Sequence, residues 1–266
     1  MTTGAPAERA LAGPQIAPTP LPRLPAAVAR TSRRAARTVL AVRAALRSVP
    51  RSAPGEAVAL RGRVFALSRL FADVCALHGL KVVSSGPVPS GPVVLVANHV
   101  GYFDPLVLAG LVPCLPLAKR EVSSWPLIGK LARRHGVVFV ERENPLSGAA
   151  ALRAAGRALT RGVSVLNFPE GTTTTGASVL RFKRGIFGLA GLTGVTVVPV
   201  AIGYDDEDLA WTGDTFLLPH YLKAAARERL VVRVRFGCAM TPSRYGGADA
   251  LAAEAQAVVE HLLSAA

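Results

Sequence analysis

An unbroken apolar run at residues 93–97, Val-Val-Leu-Val-Ala, constrains the fold of this chain more than any other stretch. β-Branched residues without polar alternation are typical of a strand buried on both faces, as in a mainly parallel sheet covered by helices. The run leads into Asn98 and His99, so the histidine is expected just beyond the C-terminal end of the strand. Open α/β sheets bind their ligands at that edge. The run therefore predicts an α/β fold with a polar site at His99.

Asp104 follows His99 by five residues and is itself followed by Pro105. Asp before Pro predicts a helix N-cap, with a helix that runs to about Leu111. Residues five apart lie about 140° apart on one helix, so these side chains meet only if a turn separates them, and Gly101 suits that turn. Two interpretations stand at this point. His99 is either a structural histidine beside a helix cap or a general base that Asp104 orients.

Strand-like and helix-like segments alternate along most of the chain, which favours a single α/β domain with a mainly parallel central sheet flanked by helices. The domain is predicted over residues 56–266, and it is preceded by a disordered, basic N-terminal extension over residues 1–55 with a helix at 26–49. Within the domain the patterns predict strands at 81–83, 93–97, 137–141, 163–168, 196–202 and 230–236, the last at an edge or half-exposed, and helices at 57–80, 104–111, 126–134, 145–160, 185–192 and 248–263.

Positive charge is concentrated at the N-terminus, because residues 1–63 hold eleven arginines against two glutamates in a chain of net charge +14. Such asymmetry predicts an anionic partner, either an acidic membrane surface or nucleic acid. The helices predicted at 26–49 and 57–80 either lie in a membrane interface or pack on the domain core. Residues 1–25 lack the apolar core of a signal peptide, and glycines and a proline interrupt the apolar stretch 185–204. We therefore predict neither a signal peptide nor a membrane span.

Two more strand-like segments end in charged residues. Residues 168–172, Phe-Pro-Glu-Gly-Thr, contribute Glu170, and residues 136–142 end at Arg142. Because the C-terminal ends of parallel strands share one edge of a sheet, Glu170 and Arg142 are expected to converge with His99. Convergence of polar groups favours a catalytic site over packing. The chain holds no CxxC pair and no HExxH segment, so a zinc site has no support.

Together these segments resemble the glycerolipid (lysophospholipid) acyltransferase family. Four motifs occur in the order that the family has, and the resemblance covers about residues 65–240. The matching segments are His99 with Asp104, residues 136–142, residues 168–172, and the proline-centred Val198-Pro199-Val200. The resemblance implies transfer of a fatty acyl group from acyl-CoA or acyl carrier protein to the free hydroxyl of a lysolipid, with no cofactor.

The resemblance also implies a role for each residue of the site. His99 is the general base and Asp104 stabilises the imidazolium, so no covalent acyl-enzyme is required. Arg142, with Lys183 or Arg184, binds the phosphate or another anionic head group of the acceptor. The other substrate-binding residues belong to the third motif, and they are Glu170, Gly171 and Thr172. Of these, the glutamate positions the acceptor or organises the loop, and the glycine amide is available to the substrate.

Thr173 marks the position at which the sequence departs from the family. Many family members that act on phosphatidic acid precursors have arginine at this position. Lysophosphatidic acid, which would give phosphatidic acid, is the expected acceptor, and the departure leaves a lyso-ornithine lipid as the alternative. The resemblance places the enzyme at the cytoplasmic face of the cell membrane, as a peripheral protein on an anionic surface.

Two other classes of function compete with acyl transfer. A serine hydrolase is suggested by residues 162–166, but Leu166 breaks the Gly-x-Ser-x-Gly pattern and Ser164 falls within a predicted strand. The second class is a protein that binds a membrane or, less favoured, nucleic acid through its N-terminal arginines. A salt-sensitive DNA shift by residues 1–63 would favour nucleic acid, and sedimentation with anionic liposomes would favour the membrane.

Overall fold

The computed structural model describes residues 24–48, 55–141, 144–213 and 215–265. Its helices are α1 (Leu24–Ser48), α2 (Glu56–Leu77), α3 (Asp104–Leu111), α4 (Ile128–His135), α5 (Pro145–Thr160), α6 (Gly185–Thr193), α7 (Leu217–Ala226) and α8 (Ala248–Ser264). Its strands are β1 (Leu80–Ser85), β2 (Val94–Ala97), β3 (Cys114–Lys119), β4 (Val138–Val140), β5 (Ser164–Asn167), β6 (Val197–Tyr204) and β7 (Leu230–Phe236). Short 3-10 helices lie at Arg120–Ser124, Glu207–Leu209 and Pro242–Arg244.

Within the described residues the strands form one seven-stranded sheet in the order β1-β7-β6-β2-β5-β3-β4. Neighbouring strands are parallel except β6 and β7, which run antiparallel. β2 lies at the centre, between β6 and β5, so its C-terminal end opens in the middle of one sheet edge. The predicted α/β fold with a mainly parallel sheet is confirmed.

Helices cover both faces of the sheet, which explains the unbroken apolar run in β2. All four residues of the strand are fully buried. Leu95 packs in a hydrophobic layer with Leu108 of α3, on one face. Val94 packs in a second layer with Ala155 of α5, on the other face. A strand between two such layers has no side that faces solvent, and for that reason its sequence does not alternate.

Among the described strands and α-helices, β3 and α7 are the two that the sequence pattern did not predict. β3 contains Pro116, and proline inside a strand argues against a strand assignment. Pro116 lies where β3 stops pairing with β5 and, from Leu117 onward, pairs with β4. α7 contains Pro219 in its first turn, where the missing N–H would have had no helical partner. Both prolines therefore occupy positions that regular structure tolerates.

Of the two alternatives predicted for residues 230–236, an edge strand or a half-exposed strand, the half-exposed strand is confirmed. β7 lies between β1 and β6 and pairs with both. Its residues alternate between buried and half-buried, and Arg233 and Arg235 belong to the half-buried set. Arg235 donates a hydrogen bond to the Leu262 carbonyl of α8 (2.8 Å). Alternation with a period of two thus indicates that one face of the strand is partly exposed. It does not indicate whether the strand lies at the edge or inside the sheet.

α1 packs on the rest of the fold. Ala27 and Val42 are buried, and the helix contacts α2, α4 and α7. Arg34 is only 9% exposed, and its guanidinium donates hydrogen bonds to the carbonyls of Ala225 (2.9 Å) and Glu228 (3.1 Å). This arginine therefore binds the protein itself and does not face a lipid phosphate. The boundary predicted between residues 55 and 56 stays a prediction.

Residues 1–23 and 49–54 lie outside the described part of the chain, so the disorder predicted for these residues stays a prediction. Among the described helices, none combines the length and the apolar character that a bilayer crossing requires. The apolar stretch 185–204 is divided between α6 and β6. Its prediction as a helix followed by a buried strand is confirmed.

Candidate active site

The loop between β2 and α3 brings His99 and Asp104 together. β2 ends at Ala97, α3 begins at Asp104, and the N–H of Asp104 closes a turn on the Gly101 carbonyl (3.2 Å). This turn returns the chain so that His99 Nδ1 lies 2.7 Å from Asp104 Oδ2. The predicted turn and the predicted meeting of the two side chains are confirmed. Their catalytic roles stay proposals.

The Asp104 carboxylate is fully buried and accepts hydrogen bonds at both oxygens. Besides the His99 ring, Oδ2 accepts the backbone N–H groups of Val100 (2.6 Å) and Gly101 (2.8 Å). Oδ1 accepts the hydroxyl of Tyr204 (2.6 Å). The prediction that Asp104 caps its own helix is wrong, because it is the first residue of α3 and its carboxylate turns back toward the preceding loop. The Asp104 carboxylate therefore organises the loop between β2 and α3 and the side chain of His99.

Two contacts fix the imidazole of His99. Because an ionised carboxylate can only accept, Nδ1 carries the proton of the hydrogen bond to Asp104. The ring also stacks on Phe168, with centroids 4.0 Å apart and planes 15° from parallel. The side chain is 12% exposed, and Nε2 is the nitrogen that remains for a substrate. An oriented imidazole with Nε2 unprotonated is what a general base requires.

Glu170 organises the same loop from the exit of the neighbouring strand β5. Its side chain is buried, with Oε1 accepting the His99 N–H (2.7 Å) and Oε2 accepting the Leu180 N–H (2.9 Å). Burial raises the pKa of Glu170, and the two backbone N–H groups oppose that rise. Both oxygens bind backbone, so this geometry supports loop organisation. Binding of the acceptor by Glu170 stays a prediction.

Gly171 follows with φ of +76°, a left-handed conformation that favours glycine. Its N–H donates to the Phe168 carbonyl (3.1 Å). This amide is paired within its own turn, and its predicted binding of a substrate stays a prediction. A β-carbon at Gly171 would lie 2.5 Å from Lys183 Nζ, so glycine also allows the ammonium to approach the loop.

The threonines after Gly171 run past the histidine. The Thr174 N–H donates to the His99 carbonyl (2.7 Å), so this loop and the loop between β2 and α3 are joined directly. Thr173, where the resemblance leads one to expect arginine, is half-buried one residue away. Thr172 is exposed, and its predicted contact with substrate stays a prediction. Position 173 therefore lies next to the residue that joins this loop to His99.

Lys183 and Arg184 are held by different parts of the protein. Lys183 is exposed, its N–H donates to the Pro169 carbonyl (3.0 Å), and its ammonium lies against the third-motif loop. Arg184 forms an ion pair with Asp249 of α8 at 3.4 Å, with the two side chains 73% and 65% exposed. Of the two predicted head-group ligands, the structure brings Lys183 to the site and directs Arg184 toward α8.

Arg142 lies outside the described residues, so its predicted contact with the acceptor stays a prediction. The strand before it, β4, ends at Val140 on the outer side of the sheet, with β3 and β5 between it and β2. At about 4.8 Å per strand, β4 lies roughly 14 Å from β2. Glu141 forms an ion pair with Arg120 (2.7 Å). The described residues of the second motif, 136–141, therefore lie farther from His99 than the third motif does.

Asn98 and Tyr204 complete the site, and sequence reasoning assigned neither a role. Asn98 is fully buried, and its amide exchanges two hydrogen bonds of 2.9 Å with the backbone of Ile202 in β6. Tyr204, at the end of β6, reaches Asp104. β6 is the neighbour of β2 in the sheet, although more than ninety residues separate them in sequence. The pairing register of β2 and β6 brings these residues to the site, and no local pattern in the sequence indicates that register.

The structure argues against a serine hydrolase. Ser164 is the first residue of β5, and its hydroxyl accepts the Val93 N–H (3.2 Å) and donates to the Gly91 carbonyl (3.3 Å). The start of β5 lies at the opposite edge of the sheet from His99, because β5 is parallel to β2. Ser164 and His99 therefore cannot act as a nucleophile and its base.

Comparison with known proteins supports the resemblance. A family model described as "Acyltransferase" matches residues 77–203, a span that contains His99, Asp104 and Glu170. The fold is similar to the crystal structure of the 1-acyl-sn-glycerophosphate acyltransferase PlsC from Thermotoga maritima, with a TM-score of 0.69 over 90% of this chain and 95% of that one. At 21% sequence identity, this likeness shows the fold alone.

Sequence relatives carry two different acceptor names. A lyso-ornithine lipid O-acyltransferase of Rhizobium meliloti is 38% identical over 190 residues, which are 64% of this chain and 65% of that protein. One of the same name from Pseudomonas aeruginosa is 38% identical over 169 residues, 62% of this chain and 65% of the relative. A 1-acyl-sn-glycerol-3-phosphate acyltransferase of Neisseria meningitidis is 32% identical over 194 residues, 68% of this chain and 74% of the relative. The chain thus spans just under two thirds of the first two relatives.

Proposed function

Because this chain belongs to the acyltransferase family, we propose that it transfers a fatty acyl group from acyl-CoA or acyl carrier protein to the free hydroxyl of a lysolipid. One observation carries the proposal: the buried Asp104 carboxylate binds His99 Nδ1 at 2.7 Å and leaves Nε2 to take a proton. A hydroxyl is a weak nucleophile until its proton is removed during attack. The pair supplies the base that this attack requires.

In the proposed reaction, His99 Nε2 takes the hydroxyl proton while the acceptor oxygen attacks the carbonyl carbon of the thioester. A C–O bond forms and the C–S bond breaks, so the acyl group becomes an ester and the sulfur leaves as a thiolate. The imidazolium then gives its proton to the thiolate, so atoms and charges balance without a cofactor. The Asp104 carboxylate stabilises the imidazolium between these two steps.

Apolar side chains beside the site suit a lipid substrate. The backbone N–H of Trp211 donates to the carbonyl of Val100, next to His99 (2.9 Å), and the ring centroids of Trp211 and Trp125 lie 6.5 Å apart. Phe216, at the start of α7, is 80% exposed. Indole and phenyl rings of this kind are typical of surfaces that meet lipid. We propose that the acyl chains lie along this side of the site.

Two acceptors fit the proposed reaction. Lysophosphatidic acid is the acceptor expected from the sequence, and the name of the Neisseria relative describes that activity. Thr173 and the two relatives at 38% identity favour a lyso-ornithine lipid. A phosphate monoester carries about −1.5 to −2 charges near neutral pH, whereas an ornithine head group carries one carboxylate and one ammonium. Threonine in place of arginine suits the head group of lower net charge.

Lipid analysis tests the proposal. Purified full-length protein is incubated with isotope-labelled acyl-CoA or acyl carrier protein and with each lysolipid in turn. We expect labelled ester on a lysolipid, with a higher kcat/KM for lyso-ornithine lipid than for lysophosphatidic acid. Ester on lysophosphatidic acid alone would reverse the choice of acceptor. Labelled free fatty acid without any ester would overturn acyl transfer in favour of thioester hydrolysis.

We propose that Lys183 binds the anionic group of the acceptor, because its ammonium lies against Gly171 and remains exposed. Lys183→Gln should raise the acceptor KM by roughly 10- to 100-fold, the effect of losing one charge-assisted hydrogen bond. The kcat and the donor KM should change much less. Initial rates at varied acceptor and donor concentrations measure these constants. Arg157→Gln, an exposed change on α5, is the matched control, and an acceptor KM equal to the control's would contradict the assignment.

We propose that the outer face of α1 holds the enzyme peripherally at the cytoplasmic face of an anionic membrane, where the thioester donors are present. At 100° per residue, the members of this face lie within about 80° of one another, opposite the buried side of the helix. All of them are exposed, and they are Arg33, Leu40, Arg43 and Arg47. Each basic residue near an anionic surface contributes about 1 kcal/mol. Packing of α1 on α2 and α7 presents these arginines on a fixed surface.

Replacing the three arginines of the outer face with glutamine should weaken binding to anionic vesicles by about 10²-fold. Turnover of a detergent-dispersed acceptor should persist, because the packed face of α1 is unchanged. Vesicle sedimentation at fixed ionic strength measures the binding. A control with the same loss of charge replaces three exposed arginines elsewhere, Arg153, Arg157 and Arg244. Equal losses in both variants would contradict a specific α1 surface, and a salt-sensitive DNA shift lost only in the first would favour nucleic acid.

A further inference from the structure

The two oxygens of Asp104 are held unequally. Oδ2 accepts three hydrogen bonds, from the His99 ring and from two backbone N–H groups. Among the described residues, Oδ1 accepts from the Tyr204 hydroxyl alone, at 2.6 Å. The carboxylate is fully buried, so solvent cannot replace that donor if it is lost. The hydrogen bonding of Oδ1 therefore depends on the Tyr204 hydroxyl.

Tyr204 brings this hydroxyl into an apolar environment. Its ring packs against the hydrophobic layer around α3, a place that phenylalanine would fill equally well. What distinguishes tyrosine there is the O–H group, which donates to Asp104. Burial and the neighbouring charge of Asp104 raise the pKa of Tyr204 well above its ordinary value, so the group stays a neutral donor. A hydrogen bond from a neutral hydroxyl to a carboxylate is charge-assisted and stronger than a neutral one.

The register of β6 fixes where the hydroxyl lies. The backbone of Ile202, two residues before Tyr204, exchanges two hydrogen bonds with the side-chain amide of Asn98. Asn98 is the residue directly before His99. β6 is thus tied to the exit of β2 on both sides of the histidine, at Asn98 and, through Tyr204, at Asp104. These two links hold the hydroxyl and the carboxylate in one rigid arrangement.

We infer that Tyr204 is a positioning residue that acts on His99 through Asp104. Its hydroxyl holds Oδ1, so that Oδ2 faces the imidazole Nδ1 while Nε2 takes and returns a proton. Without the hydroxyl, Oδ1 becomes an unpaired acceptor in a buried site, and the carboxylate is no longer fixed against the ring. The inference rests on the proposed function, because it assigns Tyr204 a role in the reaction in which His99 is the base.

Tyr204→Phe tests the inference, because it keeps the ring and removes only the hydroxyl. We expect kcat to fall by about 10- to 100-fold, with both KM values within about threefold of wild type. Proton NMR supplies a readout independent of activity. The His99 Nδ1–H should give a low-field resonance, identified by its absence in His99→Ala, and this resonance should shift or disappear in the phenylalanine variant.

Tyr221→Phe is the matched control, since it removes another tyrosine hydroxyl, bonded to His78 (2.9 Å), with no bond to Asp104. It should keep the wild-type kcat and the low-field resonance. Equal losses of kcat and of stability to urea in the two variants would overturn the inference, because the role would then be structural. An unchanged resonance in Tyr204→Phe would also overturn it.

The remaining outcomes separate this inference from the proposed function. Suppose that wild-type protein transfers no acyl group, yet the low-field resonance is present and is lost in Tyr204→Phe. The proposed function then fails while the positioning by Tyr204 stands. If Tyr204→Phe does not fold, the proton NMR spectrum of the wild-type protein tests the inference instead. A second low-field proton, from the buried Tyr204 hydroxyl, supports the inference, and its absence overturns it.

Discussion

His99→Ala should lower kcat for acyl transfer by about 10²- to 10⁴-fold, because it removes the group proposed to take the proton of the acceptor hydroxyl. The acceptor KM should change little, since the imidazole acts on the reacting hydroxyl and not on the head group. The fold should persist, because Asp104 keeps its other donors, namely the N–H groups of Val100 and Gly101 and the Tyr204 hydroxyl. Initial-rate kinetics with each thioester donor measure the loss.

A matched histidine variant separates the loss of the base from a general effect of the substitution. His261→Ala changes an exposed histidine on α8, and it should retain the wild-type kcat and the wild-type unfolding temperature. If folded His99→Ala protein retains more than about a tenth of the wild-type kcat, His99 does not perform the proton transfer.

Two substitutions of Asp104 separate its charge from its hydrogen bonds. Asp104→Asn keeps one oxygen for the donors that now bind Oδ2 but removes the negative charge, so kcat should fall by about 10²- to 10⁴-fold. Its free energy of unfolding should fall by only about 1–2 kcal/mol, because amide hydrogen bonds are weaker than charge-assisted ones. Asp104→Ala leaves every donor without a partner in a buried site, and it should cost about 3 kcal/mol or more.

Urea denaturation and kinetics on the same protein samples measure these two effects. The charge of Asp104 acts on His99 during proton transfer, so the asparagine variant should lose far more activity than stability. If Asp104→Asn keeps nearly full kcat while Asp104→Ala is strongly destabilised, the carboxylate stabilises the loop and takes no part in catalysis. His99 would then need no anionic partner.

Much of the fold follows from hydrophobic pattern. Residues 93–97 reveal a strand covered on both faces because burial removes any alternation. The spacing of His99 and Asp104, with Gly101 between them, reveals a pair that meets across a turn. These predictions rest on the chemistry of neighbouring residues, which a sequence displays directly.

Features that depend on contacts between distant parts of the chain cannot be predicted from such local patterns. Tyr204 is the last residue of β6, 100 residues after Asp104, and only the β2–β6 register brings them together. The interior position of β7 depends on which strands flank it, and its own alternation does not contain that information. The carboxylate of Asp104 has the chemistry of a helix cap, but stronger partners in the loop occupy it. Of these partners only Tyr204 is distant in sequence, and the others compete with the cap from within the loop.

The most direct measurement follows both products of the proposed reaction, the free thiol of the donor and the acyl ester of the lysolipid, in one sample over time. Wild-type protein should release one thiol for each ester formed, and only when the lysolipid is present. His99→Ala should form neither product above background. Thiol release that does not depend on lysolipid, or equal ester formation by wild type and His99→Ala, would contradict acyl transfer with His99 as its base.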